Sequence, residues 1–138
     1  MPLRRAVVDA SAALKWVLEE EGAEQAIALL NEDVLHAPEL MLLEVGNVLW
    51  SKVRRGILQR GDADRAYDAI AAVPVVLVPD GELSAAARSL AFALDVTVYD
   101  ALYAALAQRM DCPLATADAK LARAIDAAGI GHPARLMA

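Results

Sequence analysis

Four carboxylates stand where an α/β chain of this kind would do its chemistry. Asp9 ends the apolar run "AVVD" at residues 6–9, Asp100 follows "VTVY" and opens "DALYAALA", and Asp118 closes "LATAD" just ahead of another helical stretch. In an open α/β sheet, ligands collect beyond the carboxyl ends of the strands. The fourth acid, Glu44, lies in "PELMLLEVGNVLW", where Glu44, Asn47 and Ser51 recur at i, i+3 and i+7. That spacing predicts a narrow polar stripe on an otherwise apolar helix, facing the same place as the three aspartates. An aspartate at a helix start can serve simply as a cap. Four converging carboxylates are another matter, because each pair repels by roughly 4 kcal/mol at ~4 Å and an effective dielectric of about 20. Such a cluster requires a cation, and oxygen donors without histidine or thiolate suit a hard one, Mg²⁺ or Mn²⁺.

Other chemistries find less support. His36 and His132 are far apart and close to prolines, and each reads as a surface or loop histidine rather than a zinc ligand. Cys112 is the single cysteine; it reads as a small buried residue, cannot form an intrachain disulfide and fits a reducing cytoplasm. "GIG" at 129–131 follows a helix, without the strand–turn–helix context of a phosphate loop. The net charge of −6 argues against simple electrostatic binding of nucleic acid, which would need metal ions or a local basic patch. "SKVRRGILQR" at 51–60 is such a patch, with Lys52, Arg54, Arg55 and Arg60 and no acid; Lys15 is a further candidate for phosphate contact.

These residues must be held by a fold that periodicity outlines. With 138 residues, 58% of them hydrophobic and only 4% aromatic, the chain suits one domain, 1–138, built from closely packed helices and short strands. Short β-branched runs predict strands at 4–8, 33–36, 75–78, 96–98 and 113–115. Between them, helices are predicted at 11–19, 22–31, 38–55, 62–72, 82–94, 100–110 and 117–128. This alternation predicts an α/β fold with a central parallel sheet of about five short strands flanked by helices. Gly56 and Gly129 are expected to end helices. No apolar run reaches the length of a membrane span and Asp9 and Lys15 interrupt the N-terminal segment, so the expectation is a soluble cytoplasmic protein.

Taken in order, "VVDASAALKW", "PELMLLEVGNVLW", "TVYDALYAALA" and "LATADAKLA" give the chain a resemblance to PIN domains, and more closely to the VapC-type toxins of bacterial toxin–antitoxin modules. The resemblance spans nearly the whole chain. It implies that Asp9, Glu44, Asp100 and Asp118 are both the catalytic and the metal-binding residues, with Ser11, Asn47 and Thr116 supporting them. It further implies a PIN-like fold, a Mg²⁺- or Mn²⁺-dependent endoribonuclease acting on RNA, a homodimer, and a cognate antitoxin. The antitoxin would lie near the first helix and residues 44–70, with Trp16 and Trp50 as apolar contacts. One departure is Ala119, where relatives often carry a basic residue; here Lys120 follows it. Two alternatives are a catalytically idle PIN-like binding module and a receiver-type phospho-acceptor domain using Asp80, Thr116 and Lys120. The receiver reading lacks the adjacent acid pair after the first strand and leaves Glu44 and Asp100 without a role.

Overall fold

The structure is a computed structural model that describes residues 4–138, with the backbone alone at 32 and 33; residues 1–3 of the expected domain lie outside the described residues. The elements run β1 (Arg4–Val8), α1 (Ala10–Leu14), α2 (Ala23–Glu32), β2 (Asp33–Pro38), α3 (Leu40–Arg54), α4 (Arg60–Ala71) and β3 (Val76–Val78). They continue as α5 (Asp80–Leu94), α6 (Val98–Met110), β4 (Leu114–Thr116), α7 (Ala119–Ala128) and β5 (Arg135–Leu136). All sheet pairings are parallel, in the order β3-β2-β1-β4-β5. The chain therefore builds outward from β1 through β2 to β3, then returns to lay β4 and β5 on the other side of β1. The reversal opens a crevice beyond the carboxyl ends of β1 and β4, the usual ligand position in such sheets. Val8 pairs with Ala115 there, and the Asp9 amide donates to the Ala115 carbonyl at 3.2 Å.

The central strands are covered by helices, so they read as continuous apolar runs rather than alternating ones. Ala6, Val7 and Val8 of β1 are inaccessible to solvent, and Leu114, Ala115 and Thr116 of β4 are buried. α6 is buried throughout Ala101–Ala107, where alanines allow close approach of neighbouring elements. Cys112 is buried, as expected. Gly129 caps α7 in the left-handed region, and Gly56 takes the same region just after α3. No single helix among the described residues is long and apolar enough to cross a membrane.

Several expectations need correction. Residues 96–98 are not a strand: Asp95, at φ 55°, ends α5, and the Thr97 hydroxyl accepts the Asp100 amide at 3.1 Å to cap α6. Two β-branched residues thus occupy a helix–helix corner whose arms bend by 109°. The fifth strand is the two-residue β5, too short to leave a periodic signal. α1 stops at Leu14 rather than 19, because the amides of Lys15, Trp16 and Val17 bond three residues back in tighter turns. His36 is not a surface histidine. It sits in the middle of β2 at 8% exposure, its Nε2 has no hydrogen-bond partner among the described residues, and burial together with the Arg5 charge lowers its pKa. His132 is exposed and its Nε2 lies 3.1 Å from Asp111 Oδ1.

Candidate active site

Asp9 is both a helix cap and the most deeply buried acid of the cleft. As N-cap of α1 its Oδ1 accepts the Ala12 amide at 2.9 Å and the Ser11 hydroxyl at 2.6 Å, while Oδ2 accepts the Thr116 hydroxyl. Thr116 and Ser11 tie this first turn to the other side of the crevice. Thr116 Oγ1 accepts the Asp118 amide at 3.0 Å, and Ser11 Oγ accepts the Ala117 amide at 2.9 Å. Asp118 caps α7 through Oδ1 alone, from the amides of Lys120 at 2.9 Å and Leu121 at 3.1 Å.

Across the crevice, α3 and α6 present Glu44 and Asp100. The buried Tyr103 hydroxyl donates to Glu44 Oε1, a partner that the sequence reading missed. The available signal was its place one helical turn after Asp100, on the same face. Asp9, Ser11, Glu44, Asp100, Tyr103 and Asp118 line one cleft of about 450 Å³, whose other end carries Lys15, Lys52 and Glu20.

The polar stripe on α3 differs from its expected course. The residues that reach the cleft are Glu44, Val48 and Lys52, spaced at four. Met41, Val45 and Leu49 form the buried face beside them. Stepping by three moves around to the solvent side, so Asn47 is exposed and neither it nor Ser51 lines the cleft. The basic stretch also divides: Lys52 faces the cleft, whereas the Arg54 guanidinium lies over the Trp50 ring, 5.7 Å from its centroid, and Arg55 ends the helix. Arg60 pairs with Asp64 at 3.7 Å on the surface. Asp80 has a structural task, since its Oδ1 accepts the Leu40 amide at the start of α3 at 3.1 Å.

The electrostatics mark the acidic end. Burial raises the pKa of Asp9, against the lowering effect of Ser11, Thr116 and the Ala12 amide, with a further rise from the Asp100 charge. Burial is also the chief cause for Glu44, offset by the Tyr103 hydrogen bond and reinforced by the charges of Asp100, Asp9 and Asp80. Asp100 is raised by burial and by Asp118, with Thr97 and Lys120 opposing. Burial and the Glu44 carboxylate raise the Tyr103 phenol well above its ordinary value, so it remains a donor.

Residues 6–126 match the PIN domain family. The chain belongs to it. Among its relatives, Ribonuclease VapC3 of Pyrobaculum aerophilum is 37% identical over 119 residues, which cover 84% of this chain and 91% of the relative. The crystal structure of PAE2754 from Pyrobaculum aerophilum superposes with a TM-score of 0.70 at 26% identity, covering 88% of this chain and 79% of that one. A toxin–antitoxin complex from Klebsiella pneumoniae shares the fold at a TM-score of 0.62 and 17% identity, over 95% of this chain and 99% of that one. These likenesses replace the receiver reading with a PIN fold homologous to VapC ribonucleases.

Among the described residues, no three His, Cys, Asp or Glu side chains are drawn together closely enough to enclose an ion unaided. The carboxylates ring an open cleft instead of converging as tightly as the sequence suggested. An open, all-oxygen arrangement fits Mg²⁺ or Mn²⁺, because such ions retain several waters and bind through one or two carboxylates. The raised pKa values of three cleft acids fit as well, since a divalent charge would relieve the repulsion that contributes to them.

Proposed function

We propose that this PIN-domain ribonuclease hydrolyses RNA phosphodiester bonds with Mg²⁺ or Mn²⁺ and is the toxin of a VapBC-type pair. The observation that carries the reading is the buried Asp9 at the sheet's reversal point, sharing one cleft with Glu44, Asp100 and Asp118. Asp9, Glu44, Asp100 and Asp118 would hold the cation together with the waters it retains, one or two of the carboxylates serving as direct ligands, and the bound ion would supply positive charge to the scissile phosphate and acidify a water. The chain's own residues do the positioning. Ser11, Thr116 and the Ala12 amide fix Asp9, Tyr103 orients Glu44, and Asp118 is held through one oxygen with the other directed to no capping amide. Lys15 and Lys52 stand at the far end of the same cleft, in position to receive phosphates flanking the cleaved bond.

The partner reading extends from this. Trp16 is structural, since its indole N–H donates to the Ala26 carbonyl at 2.8 Å. Trp50 is 60% exposed beside a groove of about 510 Å³ between α3 and α4, lined also by Leu49, Val53, Arg54 and Tyr67. An antitoxin segment with apolar and acidic side chains suits that groove, and a homodimer is the assembly that the resemblance to VapC-type toxins implies. The deciding experiment is cleavage of RNA by purified protein with Mn²⁺, Mg²⁺ or chelator, repeated with Asp100→Asn. Metal-dependent cleavage that the variant lacks supports the reading. A folded wild type that breaks no RNA with either metal would leave the idle binding module as the better account.

A further inference from the structure

The basic end of the cleft contains its own anion. Lys15 Nζ donates to the Glu21 carbonyl and lies 3.5 Å from Glu20 Oε2, while Lys52 Nζ lies 3.8 Å from Glu20 Oε1. One carboxylate thus addresses a lysine with each oxygen, inside the cleft that also holds Asp9 and Glu44. The two lysines come from different elements, one just after α1 and the other in the last turn of α3. Their side chains are 11% and 21% exposed, whereas that of Glu20 is 40% exposed.

We propose that Lys15 and Lys52 form a subsite for an RNA phosphodiester and that Glu20 occupies it in the free protein as a displaceable stand-in for the phosphate. The inference rests on the ribonuclease reading for the identity of the anion. A carboxylate and a phosphodiester each offer two anionic oxygens, so one lysine pair accepts either. The geometry favours exchange. Both Glu20 contacts are longer than the 2.7–2.9 Å of close charge-assisted hydrogen bonds. Lys15 is anchored by a backbone carbonyl, so the cation remains in place when the anion leaves.

The segment carrying Glu20 is pinned at its far end. Gly22, at φ 87°, lies so close to the chain terminus that a Cβ would meet the Met137 carbonyl oxygen at 2.4 Å. Between that anchor and Lys15, Glu19, Glu20 and Glu21 are exposed, which leaves room for the Glu20 side chain to turn outward. Glu20 then acts as a specificity-determining residue: a single weak anion fails to dislodge it, whereas a polyanion also held at the acidic end through metal does so.

The test measures binding separately from cleavage. In chelator, where no bond is broken, fluorescence anisotropy of a labelled single-stranded oligoribonucleotide should show Glu20→Gln binding about fivefold more tightly than wild type, the scale of an exposed ion pair. Its affinity should also fall more steeply with salt. With Mn²⁺, the gain should fall in KM rather than kcat. Lys52→Gln should cost more in the Glu20→Gln background than in wild type, because in wild type it also frees Glu20 from one partner. Glu20→Asp, which keeps the charge but shortens its reach, should tighten binding in the same direction and serves if the Gln variant does not fold. Unchanged or weaker binding by folded Glu20 variants, or strictly additive Lys52 and Glu20 effects, would overturn the proposal. Tighter binding by Glu20→Gln together with no metal-dependent cleavage by any variant would support the subsite and reject the ribonuclease reading.

Discussion

Helix α3 has a hollow on each side, and the two differ in the property that matters. They are similar in size, about 450 Å³ on the Glu44 side and about 510 Å³ on the Trp50 side. The Trp50 side is the more apolar, and its charges, Arg54, Arg60 and Asp64, are on the surface. The Glu44 side brings together acids whose pKa values burial has raised, and a phenol committed to one of them. Volume alone would not separate a chemical site from a docking groove. Buried charge does, because desolvating carboxylates is costly and is tolerated where hydrogen bonds or a cation offset it.

Asp9→Asn should lower RNA cleavage by about 10²–10³-fold or more, the scale for losing a group that acts on transition-state charge. Asparagine can still accept the Ala12 amide, so circular dichroism should show the fold retained. A folded variant with wild-type rates would remove the Glu44 side's claim to the chemistry.

Metal should distinguish the two hollows through stability. At a hundredfold excess over its dissociation constant, one ion bound only to the native state stabilises it by about 2.7 kcal/mol. Mn²⁺ should therefore raise the wild-type melting midpoint, and raise that of Asp100→Asn much less. In chelator the sign reverses. Asp9, Glu44 and Asp100 have folded pKa values above their ordinary ones, so their contribution is fully present below the unfolded carboxylate range and is lost as pH rises through the raised values. Asp100→Asn should flatten that decline. An Asp100→Asn protein that is less stable in chelator and responds fully to Mn²⁺ would make Asp100 a structural residue.

Tyr103→Phe keeps the buried ring and removes the hydroxyl that Glu44 accepts. Cleavage should fall about tenfold, the scale of one hydrogen bond to a charged group. The Mn²⁺ concentration giving half-maximal activity should rise, since Glu44 is then less well oriented. An unchanged metal response would mean that Tyr103 only packs. The smallest effect concerns the basic stretch that the helix splits: Lys52→Gln should raise KM for RNA about threefold and Arg54→Gln by less than about twofold. Equal effects would carry the RNA path across both sides of α3.

Legibility followed length and locality. Strands β1, β2, β3 and β4 and the seven helices of the described residues have counterparts in the periodicity, because each repeats its pattern over several residues or ends at a recognisable stop. The run at 96–98 misled because three β-branched residues in a row look like a strand, whereas Val96 and Thr97 form a corner, Thr97 caps α6 and Val98 begins it. β5 was missed because two residues carry no period. Asn47 was misplaced because three-residue and four-residue spacings both keep residues near one face, and only packing tells which of them points inward.

Residue type and chain order were enough to draw attention to Asp9, Glu44, Asp100 and Asp118, since acids at helix starts and inside an apolar helix stand out locally. Their meeting in one cleft was decided by tertiary structure: the reversal between β1 and β4 places the Asp9 and Asp118 turns side by side, and α3 and α6 bring Glu44 and Asp100 across from them. Tyr103 and Glu20 belong to the same category. A tyrosine in a buried helix and a glutamate in an acidic turn are unremarkable in sequence, because their partners, Glu44 and the Lys15–Lys52 pair, are supplied by other segments. Local pattern reports which groups a chain owns, while burial and the charge of distant neighbours set what those groups can do.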